Sequence, residues 1–546
     1  MRVVVVGGGI AGLATAGLLA RDGHEVELLE RHEALGGRAG SWEHAGFRFD
    51  TGPSWYLMPE VFDHWFRLMG TSAAAELDLV PPEPAYRVFF EGHAGALDVA
   101  RSRAANVAAF EAIEPGAGRR LEAYLDSSRE AYDLALRHFL YTSFDSLRPL
   151  ARREILARVH RLAPLLTRSL AAHTASRFAD RRLRQLLGYP AVFLGSSPDR
   201  APALYHLMSS LDLDDGVRYP MGGFTHLVDR VARLAEQAGA TLRTSARVTS
   251  ISTTGAAAGS RGADDGGARV PGPRRPRARV TGVRWEDADG TPHRSAADVV
   301  VTAADLHHVE TELLSPRLRS HGADRWDRLD PGPGGVLAML GVRGRVPQLA
   351  HHSLFFTADW DRNFGDIAAG RVPDPASLYV CAPSRTDPSV APAGHENLFL
   401  LVPVPADPSL GRGGTDGRGD VAVERVVDAA IDRVASAAGV PDLAERVVVR
   451  RSVGPGDFAA DLSAFSGSML GPAHTLRQSA MFRDGNLSRR VTGLLHAGGS
   501  TVPGVGLPMC LISAELVAKR LRGDTSADPL PVRSGAALDP TASDVA

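Results

Sequence analysis

The chain has 546 residues, 44% hydrophobic and 23% charged, with 61 basic against 63 acidic side chains and a net charge of −2. That length accommodates two domains with substantial cores, and the charge balance gives no reason to expect a nucleic-acid partner. Only Cys381 and Cys510 are present, so a disulfide framework and a thiolate metal site are unsupported and a reducing cytoplasm is the expected compartment.

The first element is a Val-rich strand, Arg2 to Val6, running into Gly7-Gly8-Gly9-Ile10-Ala11-Gly12 and an apolar helix, Ile10 to Arg21. Gly7, Gly9 and Gly12 fit the G-x-G-x-x-G spacing: the first makes the tight turn, the second admits a pyrophosphate, and the third lets helix and strand pack closely. A second strand, Glu25 to Leu29, ends in Glu30, about 20 residues beyond the fingerprint, where a ribose-binding carboxylate belongs. Strand, glycines, helix, strand and acid in this order read as a dinucleotide site. The glutamate disfavours a cofactor carrying a 2′-phosphate. Leu35-Gly36-Gly37-Arg38-Ala39 then brings bare backbone and an arginine back toward the same pyrophosphate, a second clamp that suits an extended flavin dinucleotide.

From about Ala100 to Leu213 the pattern is helical and reads as a cap. Within it Leu147 to Leu170 carries Leu150, Ile155, Leu156, Val159, Leu162 and Leu166 at helical spacing beside six arginines, with Glu154 as the one opposing charge. Such a stretch fits either an anionic lipid surface or a solvated helix of the cap. Next come a helix at Thr225 to Ala238, strands near Thr241 to Val248, Arg279 to Trp285 and Val299 to Thr302, and between them a Gly/Ala/Arg/Pro-rich stretch, 255–278, read as a flexible loop. Residues 331–470 contribute strands near Val336 to Val342, Leu378 to Ala382 and Leu398 to Pro403 and a helix at Val421 to Ala438, expected to floor a cavity beneath the cap. A short strand, Gly493 to Ala497, leads to a bare turn, Gly498 to Thr501, and a helix entered at Gly504 to Pro508. The tail from residue 523 is expected to be disordered. No apolar run approaches the roughly 20 residues of a spanning helix.

Four segments carry a family resemblance: ERHEALGGRAGSW followed by FDTGPSW, Tyr219 to Phe224 (YPMGGF), Val299 to Val309 (VVVTAADLHHV), and His496 to Pro508 (HAGGSTVPGVGLP). Their content and order resemble the bacterial phytoene desaturases, within the two-fingerprint flavoprotein superfamily that also holds amine oxidases, over roughly Met1 to Arg522. The resemblance implies an α/β fold. A discontinuous Rossmann-like FAD-binding domain (1–97, 220–305, 485–522) would join an α+β substrate domain with a helical cap (98–219, 306–484). The expected FAD contacts are Gly7, Gly9, Ile10, Ala11, Gly12, Glu30, Arg31, Gly36, Gly37, Arg38, Val248, Gly498, Gly499, Val505, Gly506 and Leu507. Where the family usually has histidine this chain has Val502, which argues against an obligatory acid or base there.

No Ser-His-Asp order, metal-spaced histidine cluster or paired carboxylates stand out, so no metal is expected and the cofactor carries the chemistry, with flavin N5 as hydride acceptor. His307 and His308 read as packing residues. By resemblance the substrate is a long apolar polyisoprenoid or carotene taken from a membrane by a peripherally associated protein. Gly188 to Gly195 and Ala203 to Met208 would form the tunnel wall, with Tyr205, His206 and Arg218 as nearby polar groups and quinone or oxygen as electron acceptor. The alternatives are a desaturase or isomerase of a later carotenoid intermediate, a flavin amine oxidase, and a non-catalytic prenyl-binding protein.

Overall fold

The computed structural model describes residues 1–144, 152–254 and 278–532. Its first layer is a five-stranded parallel sheet in the spatial order Leu494–His496, Val299–Thr302, Arg2–Val6, Glu25–Leu29, Thr241–Arg243. Val3 to Val6 are buried, as expected of a parallel strand covered on both faces. The helix Ile10–Arg21 is buried over nearly its whole length, packed between the helices Leu507–Arg522 and Phe224–Gln237. An all-apolar helix of this kind suits the middle of a layer. The five strands bring the N-terminal fingerprint, Ala303-Ala304 and the C-terminal glycine block to one edge although they lie hundreds of residues apart.

A second, four-stranded sheet is built from the antiparallel strands Arg247–Thr254, Ala278–Glu286 and Pro292–Ala296, with Val491–Thr492 pairing parallel to the second of them. The stretch 255–277, read from sequence as a loop, lies outside the described residues.

The substrate domain has a seven-stranded sheet ordered Val447–Val453, Gly334–Arg343, His395–Val404, Leu378–Cys381, His352–Phe356, Tyr86–Phe90, Ala96–Val99. The last two strands correct the domain boundary drawn at residue 97. Tyr86–Phe90 pairs with His352–Phe356, and Phe89 stacks on Phe355 with ring centroids 4.6 Å apart. An apolar run, YRVFF, is thereby buried on the substrate side, where aromatic partners exist. Above the sheet lie the cap helices Arg103–Ile113, Ala117–Ala135, Arg153–Thr167, Leu170–Ala175 and Arg181–Gly188.

Residues 524–532 of the expected tail are docked. Ala527 and Leu530 are buried, and the ammonium of Lys519 donates to the carbonyls of Tyr141, Ser526 and Asp528. Residues 533–546 lie outside the described residues.

Candidate functional site

One continuous cavity of about 1070 Å³ runs from the glycine fingerprint into the space between cap and floor. Of the sixteen expected FAD contacts, all but Gly12 line it. Gly12 stands behind the wall, where an added Cβ would lie 1.9 Å from the Gly7 carbonyl oxygen; its missing side chain serves helix-to-strand packing. Gly9 differs. A Cβ there would meet nothing nearer than the Gly36 carbonyl oxygen at 3.8 Å and would project into the cavity. The amide of Gly36 donates to Gly8 O at 2.9 Å, so the second clamp lies directly on the first.

Glu30 is buried, accepting from the amides of Gly8 at 2.6 Å and His32 at 2.9 Å. Its carboxylate shapes the phosphate loop and keeps lone pairs for a further donor. Arg31 reaches across to Ser463 Oγ at 3.1 Å and to the carbonyls of Ala460 and Asp461, closing that end of the cavity. Val248 lines the same end, on a strand joined to Glu30 through the amide of Ala246. His308 also lines it, its pKa lowered by burial, whereas His307 packs edge-on against Trp326 at 5.0 Å.

Arg38 is half-buried. Its Nε donates to Met469 O at 2.9 Å, but one terminal nitrogen has no partner, and burial lowers its pKa. A guanidinium with a buried, unsatisfied donor at a cavity wall is a site for an anionic oxygen. With the open approach at Gly9 and two helix N-termini, at Ile10 and Leu507, facing the same space, these residues fit the diphosphate and ring of FAD.

The C-terminal block is wired from behind. Gly498 N donates to Ser513 Oγ at 3.0 Å, and Arg483 donates to the carbonyls of Thr501, Pro472, Gln478 and Gly499. Val502 N donates to Asp484 O, and the Asp484 carboxylate holds His321 Nε2 at 3.0 Å. Val502 itself is buried in the core and does not line the cavity. His474 and Ser479 line the cavity, and Arg483 braces its wall. Sequence reading missed all three, because 471–485 has neither periodicity nor a motif.

The other arm is apolar. Leu134, Phe139, Leu140, Leu162 and Leu207 line it, over a floor that includes Leu337 and Phe399. From the expected tunnel wall, Phe193, Leu194, Leu204, Tyr205, Leu207 and Met208 face the space. Tyr189 instead donates to the buried Asp212, His206 is buried against Ser127, and Arg218 lies off the cavity, its backbone bridged to Tyr56. The mouth is rimmed by exposed Leu156 (56%), Val159 (54%) and Phe482 (59%), with Leu166, Leu476 and Met481 beside them.

The absence of a metal-type cluster, expected from spacing, is corrected in one place. His351, His352 and Cys381 bring ligand atoms within 4.8 Å of one another behind Tyr379, through strand pairing rather than sequence spacing. Both Nδ1 atoms are engaged, by Thr386 and Tyr379, and burial pushes the thiol up to about 12, disfavouring the thiolate a metal requires.

Comparison with known proteins agrees with this geometry. The family model described as flavin containing amine oxidoreductase matches residues 10–522. A carotenoid 3,4-desaturase of Haloarcula japonica is 39% identical over 96% of this chain and 98% of its own length. A zeta-carotene-forming phytoene desaturase of Myxococcus xanthus is 34% identical over 95% and 93%. Among solved structures, an oxidoreductase from Methanosarcina mazei superimposes with a TM-score of 0.61 over 95% of this chain and 100% of its own, at 15% identity, a likeness of fold.

Proposed function

Because this chain belongs to the flavin containing amine oxidoreductase family, we propose that it is an FAD-dependent carotenoid desaturase, an oxidoreductase that introduces C=C bonds into a polyisoprenoid chain. The observation that carries the reading is the single cavity joining a dinucleotide site to a long apolar arm.

Bound in this cavity, FAD supplies a two-electron acceptor for hydride from a saturated carbon next to a double bond. The protein's part is positioning. Gly9, Gly36 and Arg38 would hold the diphosphate, Glu30 and Val248 would bound the adenosine end, and Gly498, Gly499 and Val505 to Leu507, which line the same cavity, would give bare backbone for the ring. The apolar arm aligns a hydrocarbon chain and excludes water, so proximity and orientation supply most of the protein's contribution.

The exposed apolar rim supports peripheral docking on a bilayer, with the substrate entering from the side. Apolar contact carries this reading more than charge. Arg158 and Arg161 pair with Glu130 of the neighbouring helix, a second opposing acid that the sequence reading did not count. Residues 147–151, including Arg148 and Leu150, lie outside the described residues. No helix among the described residues is long and apolar enough to cross a membrane. The same mouth would admit an isoprenoid quinone as oxidant, with oxygen as the alternative.

The test is anaerobic incubation of FAD-loaded protein with phytoene liposomes and, in parallel, with a more unsaturated carotene, following flavin bleaching and polyene absorption together. Bleaching with new long-wavelength bands supports the reading, and the substrate that produces it fixes the step. Silence with both would overturn it.

A further inference from the structure

At the junction of the two arms one polar chain crosses from the substrate wall to the cofactor turn. His474 is 5% exposed and lies on the cavity wall. Its Nε2 accepts from the Val505 amide at 3.2 Å, and its Nδ1 is 2.7 Å from the Tyr205 hydroxyl. An acceptor at Nε2 puts the ring proton on Nδ1, so His474 donates to Tyr205. Tyr205 then donates to Ser479 Oγ at 2.9 Å, and Ser479 donates to Thr475 O at 2.8 Å. A backbone amide at one end and a carbonyl at the other fix the sense of every bond. Burial lowers the pKa of His474, consistent with a neutral ring that does not turn over.

Both ends matter. Gly504 leaves the imidazole its place: a Cβ there would lie 2.2 Å from His474 Cε1. The next residue, Val505, begins the backbone expected against the flavin ring. At the other end Tyr205 faces the apolar arm, and the His474 amide donates to Leu194 O at 2.9 Å on the same wall.

Resting on the FAD reading, we propose that His474 is a positioning residue that props the Val505-Gly506 turn against the flavin, and that Tyr205 links occupancy of the apolar arm to that turn. The chain moves no proton in the reaction. It sets where the cofactor ring sits when hydrocarbon fills the arm.

The test uses the full-length, FAD-loaded protein and squalane, a saturated isoprenoid that fills the arm without reacting. FAD affinity is read by flavin fluorescence, and ring environment by visible circular dichroism with and without squalane. His474→Ala leaves the Val505 amide without a partner and is expected to weaken FAD about tenfold and alter the flavin spectrum. His474→Gln restores an acceptor for that amide and a donor toward Tyr205, and returns FAD affinity to within about threefold of wild type. Tyr205→Phe is expected to lose most of the squalane-induced spectral change while still binding squalane. Wild-type affinity and spectrum in His474→Ala, an undiminished squalane response in Tyr205→Phe, or no response in the wild type would each overturn the proposal. Failure of the wild type to bind FAD would instead overturn the cofactor reading beneath it.

Discussion

Gly9 and Gly12 look interchangeable in the fingerprint, yet the structure separates their substitutions. Gly9 has φ −71° and ψ 172°, which any residue adopts, and its Cβ would enter open space 3.8 Å from the nearest atom. Gly9→Val should therefore fold like wild type while its branched side chain occupies the phosphate approach. Two amide-to-phosphate hydrogen bonds lost at about 1.5–3 kcal/mol each amount to roughly 3–6 kcal/mol. That is a loss of about two to four powers of ten in FAD affinity. Gly12→Ala places a methyl 1.9 Å from the Gly7 carbonyl oxygen, so helix and strand must separate, at a cost of about 1–3 kcal/mol or more in folding stability before any cofactor is added. The assay is thermal unfolding of apoprotein with an FAD titration. At a hundredfold excess over Kd, FAD raises wild-type stability by about 2.7 kcal/mol. Gly9→Val should match the wild-type apoprotein and show no FAD-dependent rise; Gly12→Ala should unfold early without ligand. A Gly9→Val protein with FAD affinity within about threefold of wild type would refute the placement of the pyrophosphate.

Arg38→Met removes a half-buried charge whose buried terminal nitrogen has no partner, so the apoprotein should be no less stable while FAD affinity falls about 10–100-fold; equilibrium dialysis checks this. Leu156→Asp/Val159→Asp/Phe482→Asp should abolish liposome flotation and leave the flavin spectrum unchanged; retained flotation would place the membrane face elsewhere. Burial alone would lower the His321 pKa, but its bonds to Asp484 and Glu310 prevail and raise it to about 9. A raised folded-state pKa gives stability fully present below the unfolded value near 6.5 and lost as pH climbs through 9, amounting to about 3 kcal/mol. Denaturant unfolding between pH 6.5 and 9 should show that decline, and His321→Gln should lack it.

The nucleotide half was legible because it is local. Arg2 to Arg38 encode strand, turn, helix, strand and clamp through short-range geometry, and glycine spacing records where backbone must approach phosphate. The C-terminal block was readable for the same reason. The substrate half was legible only in class. Helical spacing identified the cap, yet Tyr86 to Phe90 was assigned to the wrong domain because an apolar strand does not record which sheet will bury it. Glu130, which neutralises the cap arginines, lies on another helix and left no mark in the segment it balances.

The sequence by itself determined that the chain opens on a dinucleotide-type strand, glycine turn and helix and that FAD is its cofactor, since such a turn follows from steric rules within a few residues. Tertiary structure alone decided that the cofactor site opens into one apolar arm and that Arg38 keeps a free nitrogen toward it. It also decided that Tyr205, His474 and Val505 form one chain across 300 residues of sequence. Such relations depend on which surfaces meet once the core has packed, and hydrophobic burial is non-directional until the whole chain has chosen its partners.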